Sequence, residues 1–276
     1  YENYSFQTNA KMKKLKVSIR KYSNYDDFLQ YLPGRNRKIG EWEIYFNDEI
    51  READAWFIVE DVQEDECIVP EEMLFFGTAE TSWPIGFYSD RKWREKFLGQ
   101  FSEVHTCHDY FSSTRRTALP FLPWMVNSNH GESLNAPSFR DYDFFHSLSY
   151  IEKTKTLSVI CSAQSWTPGH RMRLNFLRYL EKHGNFEVDW FGNGIKTISE
   201  KWDGLAPYKY TLVMENQPKL DLITEKLVDS FLTNTFPIYW GAPNANEYFP
   251  RDSFATINIA DPQSSICKIK KIINSN

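Results

Sequence analysis

The sequence feature that most constrains the fold is an apolar run, an amphipathic segment and a second apolar run between residues 210 and 243, YTLVMENQPKLDLITEKLVDSFLTNTFPIYWGAP. Residues 210–216 and 236–240 have the length and composition of buried strands, and residues 223–234 have helical spacing. Two strands that are joined through a helix normally lie parallel in one sheet. This stretch therefore predicts an α/β fold.

The same alternation recurs along the chain. In the first half, short apolar or alternating segments predict strands at 15–22, 43–48, 55–62, 71–80 and 102–110, with a helix at 90–101. In the second half, the predicted strands are 156–162 and 186–192, and a helix spans 167–184, between a Thr-Pro-Gly start and Gly184. Residues 125–150 are polar and poorly periodic, which indicates an inter-domain crossing. We therefore predict two Rossmann-like domains facing a central cleft, residues 1–150 and 151–276.

Composition limits the classes of function. The net charge of −5 argues against general nucleic-acid binding, which needs a basic face. No apolar stretch is long enough for a membrane span and no signal peptide is visible, so we expect a cytoplasmic location. The widely spaced cysteines indicate reduced thiols. His105, Cys107 and His108 lie together but have no partner cluster, so we expect no metal site.

Polar residues stand where strands end and helices begin. Glu215 and Asn216 follow a predicted strand, and Thr224, Glu225 and Lys226 open the next helix. Ligands of parallel sheets bind at the carboxyl ends of strands, and helix N-termini favour anions. Each residue also has a structural interpretation, because Glu215 can pair with an arginine and Thr224 and Glu225 can be ordinary first-turn residues.

Two cations lie near the start of the other helix of this half, Arg171 and Arg173. With Lys226, they would bring positive charge from two helix starts to one anion, and a diphosphate has the charge and size that fit. The alternative for Arg173 is a solvated helix face.

The stretch YKYTLVMENQPKLDLITEKLVDSFLTNTFPIYWGAPNANEYFP resembles the signature region of the α-1,3/1,4-fucosyltransferases, glycosyltransferase family 10, and is most similar to its bacterial members such as the Helicobacter enzymes. GHRMRLNFLRYL and VDWFGNG resemble the upstream arginine helix and strand of that family. The resemblance implies a GT-B fold, with the acceptor in the N-terminal half. It also implies inverting transfer of L-fucose from GDP-fucose to a GlcNAc- or Glc-containing glycan, without an obligatory metal or other cofactor.

The resemblance also assigns roles. Lys226 and Arg173 match the cations of the donor diphosphate, with Arg171 as the register alternative, and Glu225 matches a glutamate that contacts the ribose hydroxyls or the sugar. Glu215 and Asn216 match the Glu-Asn pair of the donor pocket. Thr224 belongs to the same Thr-Glu-Lys motif. Glu80, in FFGTAETSWP, resembles the catalytic base, and its alternative is a loop carboxylate without a role.

Two positions depart from the family pattern, Leu222 in place of a tyrosine and Gln217 in place of a serine. They motivate one rival, another nucleotide-activated deoxy sugar as donor. The second rival is a catalytically silent glycan-binding protein, and the retention of Glu215, Asn216, Glu225 and Lys226 argues against it. The resemblance further implies a bacterial surface glycan such as lipopolysaccharide as the acceptor. It also implies peripheral association with the inner face of the membrane through a segment outside this sequence.

Overall fold

The computed structural model describes residues 11–19, 26–59, 65–78, 91–107, 116–117, 124–126 and 140–275. Within these ranges the strands fall into two separate sheets. One sheet belongs to each half of the chain, as the alternation in the sequence predicts.

The N-terminal half is built on a seven-stranded sheet with the order β2-β3-β1-β4-β5-β6-β7. Its strands are β1 (Lys13–Ile19), β2 (Lys38–Ile39), β3 (Trp42–Phe46), β4 (Ala55–Val59), β5 (Leu74–Thr78), β6 (Glu103–Thr106) and β7 (Arg116–Thr117). All pairings are parallel except that of β2 with β3. Two helices accompany these strands, α1 (Asp26–Leu29) and α2 (Arg91–Leu98).

The C-terminal half contains a five-stranded, wholly parallel sheet with the order β12-β11-β10-β8-β9. Its strands are β8 (Lys155–Ile160), β9 (Asp189–Phe191), β10 (Tyr208–Met214), β11 (Phe236–Trp240) and β12 (Ala255–Thr256). The helix α3 (Tyr142–Ser147) precedes β8 in the chain. The helices that follow it are α4 (Pro168–His183), α5 (Glu225–Leu232) and α6 (Pro262–Ile273). This strand order is the flavodoxin-like variant of the doubly wound fold.

Side chains that alternate along β10 build a core on each face of this sheet. Leu212 and Met214 pack with residues of α4 and α6, whereas Val213 packs with Leu227 of α5. Successive residues of a strand point to opposite faces, so a strand covered by helices on both sides must be apolar throughout. This explains why TLVM is a continuous apolar run.

In the region predicted as an inter-domain crossing, the described residues 140–150 contact both halves of the chain. This region contains α3, whose N-cap Asp141 pairs with Arg35 of the first half at 2.7 Å. Just before it, Arg140 pairs with Glu200 of the second half at 2.8 Å and lies over the Trp202 ring at 4.3 Å. Residues 140–147 therefore join the two halves.

Some element predictions need correction. Residues 71–80 do not begin as a strand, because Glu71–Met73 form a 3-10 helix and β5 starts at Leu74. The prediction contained neither α6 nor the 3-10 helix Lys201–Gly204. Each of these two elements follows a polar segment that resembles a loop. Lys201, the first residue of the 3-10 helix, lines the cavity described below.

Candidate functional site

A cavity of about 280 Å³ opens at the carboxyl ends of β8 and β10. These strands are neighbours in the sheet, but β9 follows β8 on one side and β11 follows β10 on the other. Such a reversal leaves a crevice between the two loops, which is where open α/β sheets bind ligands. The cavity is lined from β8 and its loop by residues 160–162 and Gln164, and from β10 by residues 211–214 and Asn216.

The start of α4 forms one wall of this cavity. Thr167 caps the helix by accepting from the His170 backbone N–H at 3.2 Å, and Nδ1 of His170 accepts from the Thr167 N–H at 3.4 Å. A Cβ at Gly169 would overlap the carbonyl oxygen of Asn216. The glycine thus lets the first turn of α4 approach the end of β10, and this brings the positive end of the helix dipole close to the cavity.

His170 lines the cavity as a neutral imidazole. Burial lowers its pKa, and the nearby charges of Arg173, Lys226 and Arg171 lower it further. Because Nδ1 is assigned as the acceptor of the capping bond, Nε2 carries the ring proton. His170 is therefore a hydrogen-bond donor within a group of cations.

Arg173 is the most deeply buried cation of the cavity, with 5% of its surface exposed. Nη1 of Arg173 donates to the carbonyl of Met214 at 3.2 Å. Nε of Arg173 is buried and has no hydrogen-bond partner among the described residues. A buried guanidinium without a carboxylate costs free energy unless an anion compensates its charge. Its place in the cavity lining, with no carboxylate partner among the described residues, indicates a site for an anion.

Glu215 and Thr224 form the support beneath Lys226. The carboxylate of Glu215 is fully buried and accepts from the Thr224 N–H at 2.9 Å and from its hydroxyl at 2.7 Å. Nζ of Lys226 donates to Oγ1 of Thr224 at 2.9 Å and lies 3.6 Å from Glu215. Burial raises the pKa of Glu215, whereas Lys226 opposes this rise. These contacts fix the first turn of α5 to the end of β10.

Glu225 lies between two lysines. Its Oε1 is 3.2 Å from Nζ of Lys226 and 3.4 Å from Nζ of Lys201. Burial opposes ionisation, but the two lysines outweigh it and lower the pKa of Glu225 to about 2. At neutral pH this side chain is a carboxylate that can accept hydrogen bonds from sugar hydroxyls.

Lys201 and Asp229 complete the lining, and the sequence interpretation contained neither of them. Asp229 is 1% exposed and pairs with Lys201 at 3.0 Å. Burial favours the neutral amine of Lys201, but the carboxylates of Asp229 and Glu225 outweigh it and raise its pKa. The only sequence signal for Asp229 was its spacing of four residues from Glu225, which places both on one face of the predicted helix, and Lys201 lay in an apparent loop.

The structure brings most of the predicted donor residues together and separates one of them. Arg173, Asn216, Glu225 and Lys226 line the cavity, with Glu215 and Thr224 behind them. Arg171 is exposed, and its Nη1 donates to the carbonyls of Ser165 and Trp166 at 2.9 and 3.1 Å. Of the two arginines considered for the anion, Arg173 is therefore the one that lies in the cavity.

Two further expectations concern Leu222 and Glu80. Leu222, where the family pattern has tyrosine, is 1% exposed and packed in the interior rather than in the cavity lining. Glu80 lies outside the residues that the structure describes, and so does His108. The role of Glu80 as the base stays a prediction.

Within the described ranges, no group of three or more His, Cys, Asp or Glu side chains could hold a metal ion. In the same ranges no helix combines the length and apolarity that a membrane crossing requires. All four cysteines are free.

Solved structures share the fold of this chain. The crystal structure of an α1,3-fucosyltransferase with GDP aligns with 99% of this chain and 85% of its own, with a TM-score of 0.55 and 17% identity. The corresponding structure with GDP-fucose aligns with 95% of this chain and 78% of its own, with a TM-score of 0.54 and 18% identity. The chain thus has two sheets of mainly parallel strands, and the cavity lies where the strand order of the second sheet reverses. These features define the GT-B class of fold.

Residues 151–273 match the family model described as glycosyltransferase family 10 (fucosyltransferase), C-terminal. The second half of the chain is therefore a glycosyltransferase family 10 domain, and the family resemblance inferred from the motifs is confirmed.

Curated relatives agree with this assignment over shorter segments. The α-(1,3)-fucosyltransferase FucT of Helicobacter pylori is 34% identical over 61 residues, which are 22% of this chain and 13% of that protein. A putative fucosyltransferase-like protein of Arabidopsis thaliana is 30% identical over 143 residues, 50% of this chain and 27% of that protein. The matches span less than a third of the length of these relatives.

Proposed function

We propose that this chain is an inverting fucosyltransferase that moves L-fucose from GDP-fucose to a hydroxyl of a GlcNAc- or Glc-containing glycan. The observation that carries the proposal is that Arg173, a buried guanidinium with no carboxylate partner among the described residues, lines the same cavity as Lys226. The family domain at 151–273 and the fold shared with α1,3-fucosyltransferases support the choice of donor.

The proposed donor site combines cations for the diphosphate with a carboxylate that accepts hydrogen bonds from hydroxyl groups. Arg173 and Lys226 offer positive charge to the diphosphate, and the helix dipole at the first turn of α4 adds to it. Nε2 of His170 adds a neutral donor. The ionised carboxylate of Glu225 accepts from hydroxyls of the ribose or of the sugar. Charge that develops on the departing diphosphate meets donors that are already in place, which lowers the barrier to its departure.

The transfer itself is a single displacement. The acceptor oxygen loses its proton to a carboxylate base and forms a bond to the anomeric carbon. The bond from that carbon to the phosphate oxygen breaks, and GDP leaves with the electron pair. Glu80 is proposed as the base. Glu80→Gln is expected to abolish transfer while GDP binding persists, and transfer at the parent rate by this variant would contradict the assignment.

The two rivals predict different behaviour toward a panel of donors. Gln217 departs from the family pattern and is half-buried directly after the cavity-lining Asn216, which keeps another GDP-linked deoxy sugar as the second candidate donor. A silent glycan-binding protein would show no turnover with any donor. The bacterial surface glycan, the cytoplasmic location and the association with the inner membrane face remain predictions from the resemblance.

The test is calorimetric binding of GDP, GDP-fucose, other GDP-sugars and UDP-sugars, followed by the same panel as donors with lactose and N-acetyllactosamine. We expect selective binding of GDP and GDP-fucose, with transfer of fucose. GDP binding without use of fucose would favour the second donor, and the absence of guanine nucleotide binding would overturn the proposal.

A further inference from the structure

The ion pair Lys201–Asp229 lies in the cavity wall, and the proposed chemistry does not use it. Lys201 stands at the start of the 3-10 helix Lys201–Gly204, and Asp229 stands on α5, one turn after Glu225. Their side chains meet at 3.0 Å, and the same Nζ lies 3.4 Å from Oε1 of Glu225. The ammonium group of Lys201, which belongs to the 3-10 helix, thus bridges the carboxylates of Glu225 and Asp229 on α5.

The charge of Lys201 is already compensated within the protein. Both of its recorded ion-pair partners are carboxylates, whereas Arg173 has none among the described residues. Lys226 also lies near two carboxylates, 3.2 Å from Glu225 and 3.6 Å from Glu215, but it donates its hydrogen bond to the Thr224 hydroxyl, whereas both hydrogen bonds of Lys201 go to carboxylates. An ammonium that donates to two carboxylates has little charge left to offer a diphosphate. Its effect on a ligand must therefore pass mainly through the carboxylates that it holds.

Both ends of this arrangement are fixed. Trp202, the residue after Lys201, lies under the guanidinium of Arg140 and against the ring of Phe144, so the 3-10 helix is held by the joint between the two halves. Asp229 accepts from the N–H of Met125 at 2.7 Å through the oxygen that does not face Lys201.

The segment that reaches Asp229 is anchored in the first half of the chain. The carbonyl of Trp124 accepts from the Tyr31 hydroxyl at 3.0 Å, and the two rings meet edge to face at 4.7 Å. Val126, the residue after Met125, is 1% exposed. The donor cavity is therefore braced against the N-terminal half through a buried carboxylate.

We propose that Lys201 is a positioning residue of the donor site: anchored by Asp229, it holds the Glu225 carboxylate where the hydroxyls of the nucleotide sugar bind. This inference rests on the proposed function, because it gives Glu225 a hydroxyl-bearing donor to receive. It assigns to Lys201 no direct contact with the diphosphate.

A double-mutant cycle on GDP binding tests the inference. Lys201→Met and Glu225→Gln are each expected to weaken GDP binding by about tenfold. If Lys201 acts through Glu225, the double variant binds no more weakly than Glu225→Gln alone. Additive losses, or parent-like binding by Lys201→Met, would overturn it. The KM for GDP-fucose should rise in Lys201→Met while kcat stays near the parent value.

Two controls separate positioning from folding. Lys201→Met leaves Asp229 as a buried carboxylate without its partner, and Lys201→Met/Asp229→Asn removes that charge. We expect this pair to recover melting temperature and still bind GDP weakly. Recovery of both properties would show that the loss was only one of stability.

Lys153→Met removes a lysine that donates to Ala206, Thr233 and Thr235 outside the cavity lining, and it should bind GDP like the parent.

If the parent chain binds no guanine nucleotide, the proposed function fails, and the inference about Lys201 fails with it. If the parent binds GDP and the cycle is additive, only the inference fails.

Discussion

At the scale of single residues, two arginines two positions apart on α4 have opposite environments. Arg173 is buried in the cavity wall, and Arg171 is exposed and bound to loop carbonyls. Successive residues of a helix differ by about 100° in direction, so a shift of two positions moves a side chain to the other face. The donor cavity can therefore use one of them and not the other.

We expect Arg173→Ala to weaken GDP binding by about 10- to 100-fold, because it removes a buried charge-assisted contact with the diphosphate. Arg171→Ala is the matched control and should change the affinity by less than about twofold, since its charge is screened by solvent. Calorimetric titration of both variants measures the difference. Equal effects of the two substitutions would contradict the placement of the anion at Arg173.

His170 gives the site a pH dependence with a definite sign. Its pKa is lowered in the free protein by burial and by three neighbouring cations, and a bound diphosphate offsets those cations. Ligand binding should therefore raise the pKa of His170, and the affinity for GDP-fucose should increase as the pH falls from about 7.5 to about 5.5. His170→Gln keeps a donor but cannot titrate, so its affinity should be flat over this range. A parent profile as flat as that of the variant would refute the expectation.

At the scale of elements, the site depends on how closely α4 approaches the end of β10. Gly169→Ala places a methyl group against the Asn216 carbonyl, so the helix start must move away. We expect a loss of about 1–3 kcal/mol in the free energy of unfolding, together with weaker GDP binding. Thr167→Ala is the control, because it removes the cap at a cost of about 1 kcal/mol without a clash.

Chemical denaturation and GDP titration of these two variants separate the effects. Gly169→Ala should lose both stability and affinity, whereas Thr167→Ala should lose mainly stability. If Gly169→Ala bound GDP as tightly as the parent, the close approach would not matter for the ligand.

At the scale of the whole molecule, Lys153 fixes the segment that connects the two halves and leads into β8. It does so through residues that come later in the second half. Its ammonium donates to the carbonyls of Ala206 and Thr233 and to the Thr235 hydroxyl, all of them uncharged groups. Burial without a carboxylate partner lowers the pKa of Lys153 to about 8. The charged form is therefore disfavoured in the folded state.

The consequence for stability follows from proton binding. Between about pH 8 and about pH 10.5 the unfolded chain holds a proton on Lys153 that the folded chain has released, so the parent gains stability relative to Lys153→Met as the pH rises. The slope has an upper limit of about 1.4 kcal/mol per pH unit, which partial exposure reduces. Urea unfolding of both proteins at several pH values measures this difference. A difference that is constant with pH would mean that the lysine titrates normally.

The sequence by itself determined the parallel sheet of the second half and the Thr-Glu-Lys motif at the start of α5. The apolar runs at β10 and β11 and the helix between them leave few other arrangements, since continuous apolar strands must be covered on both faces. Thr224, Glu225 and Lys226 are local to one helix start, so their spacing alone brings them together.

Only the tertiary structure decided which distant groups meet at this motif. Lys201 and Met125 reach Asp229 across 28 and 104 residues of chain, and no local periodicity encodes such contacts. The choice between Arg171 and Arg173 also depended on the face that α4 turns toward the sheet. A sequence motif specifies groups that are neighbours along one element, whereas a buried charge network is specified by the packing of several elements, because only packing removes its members from water.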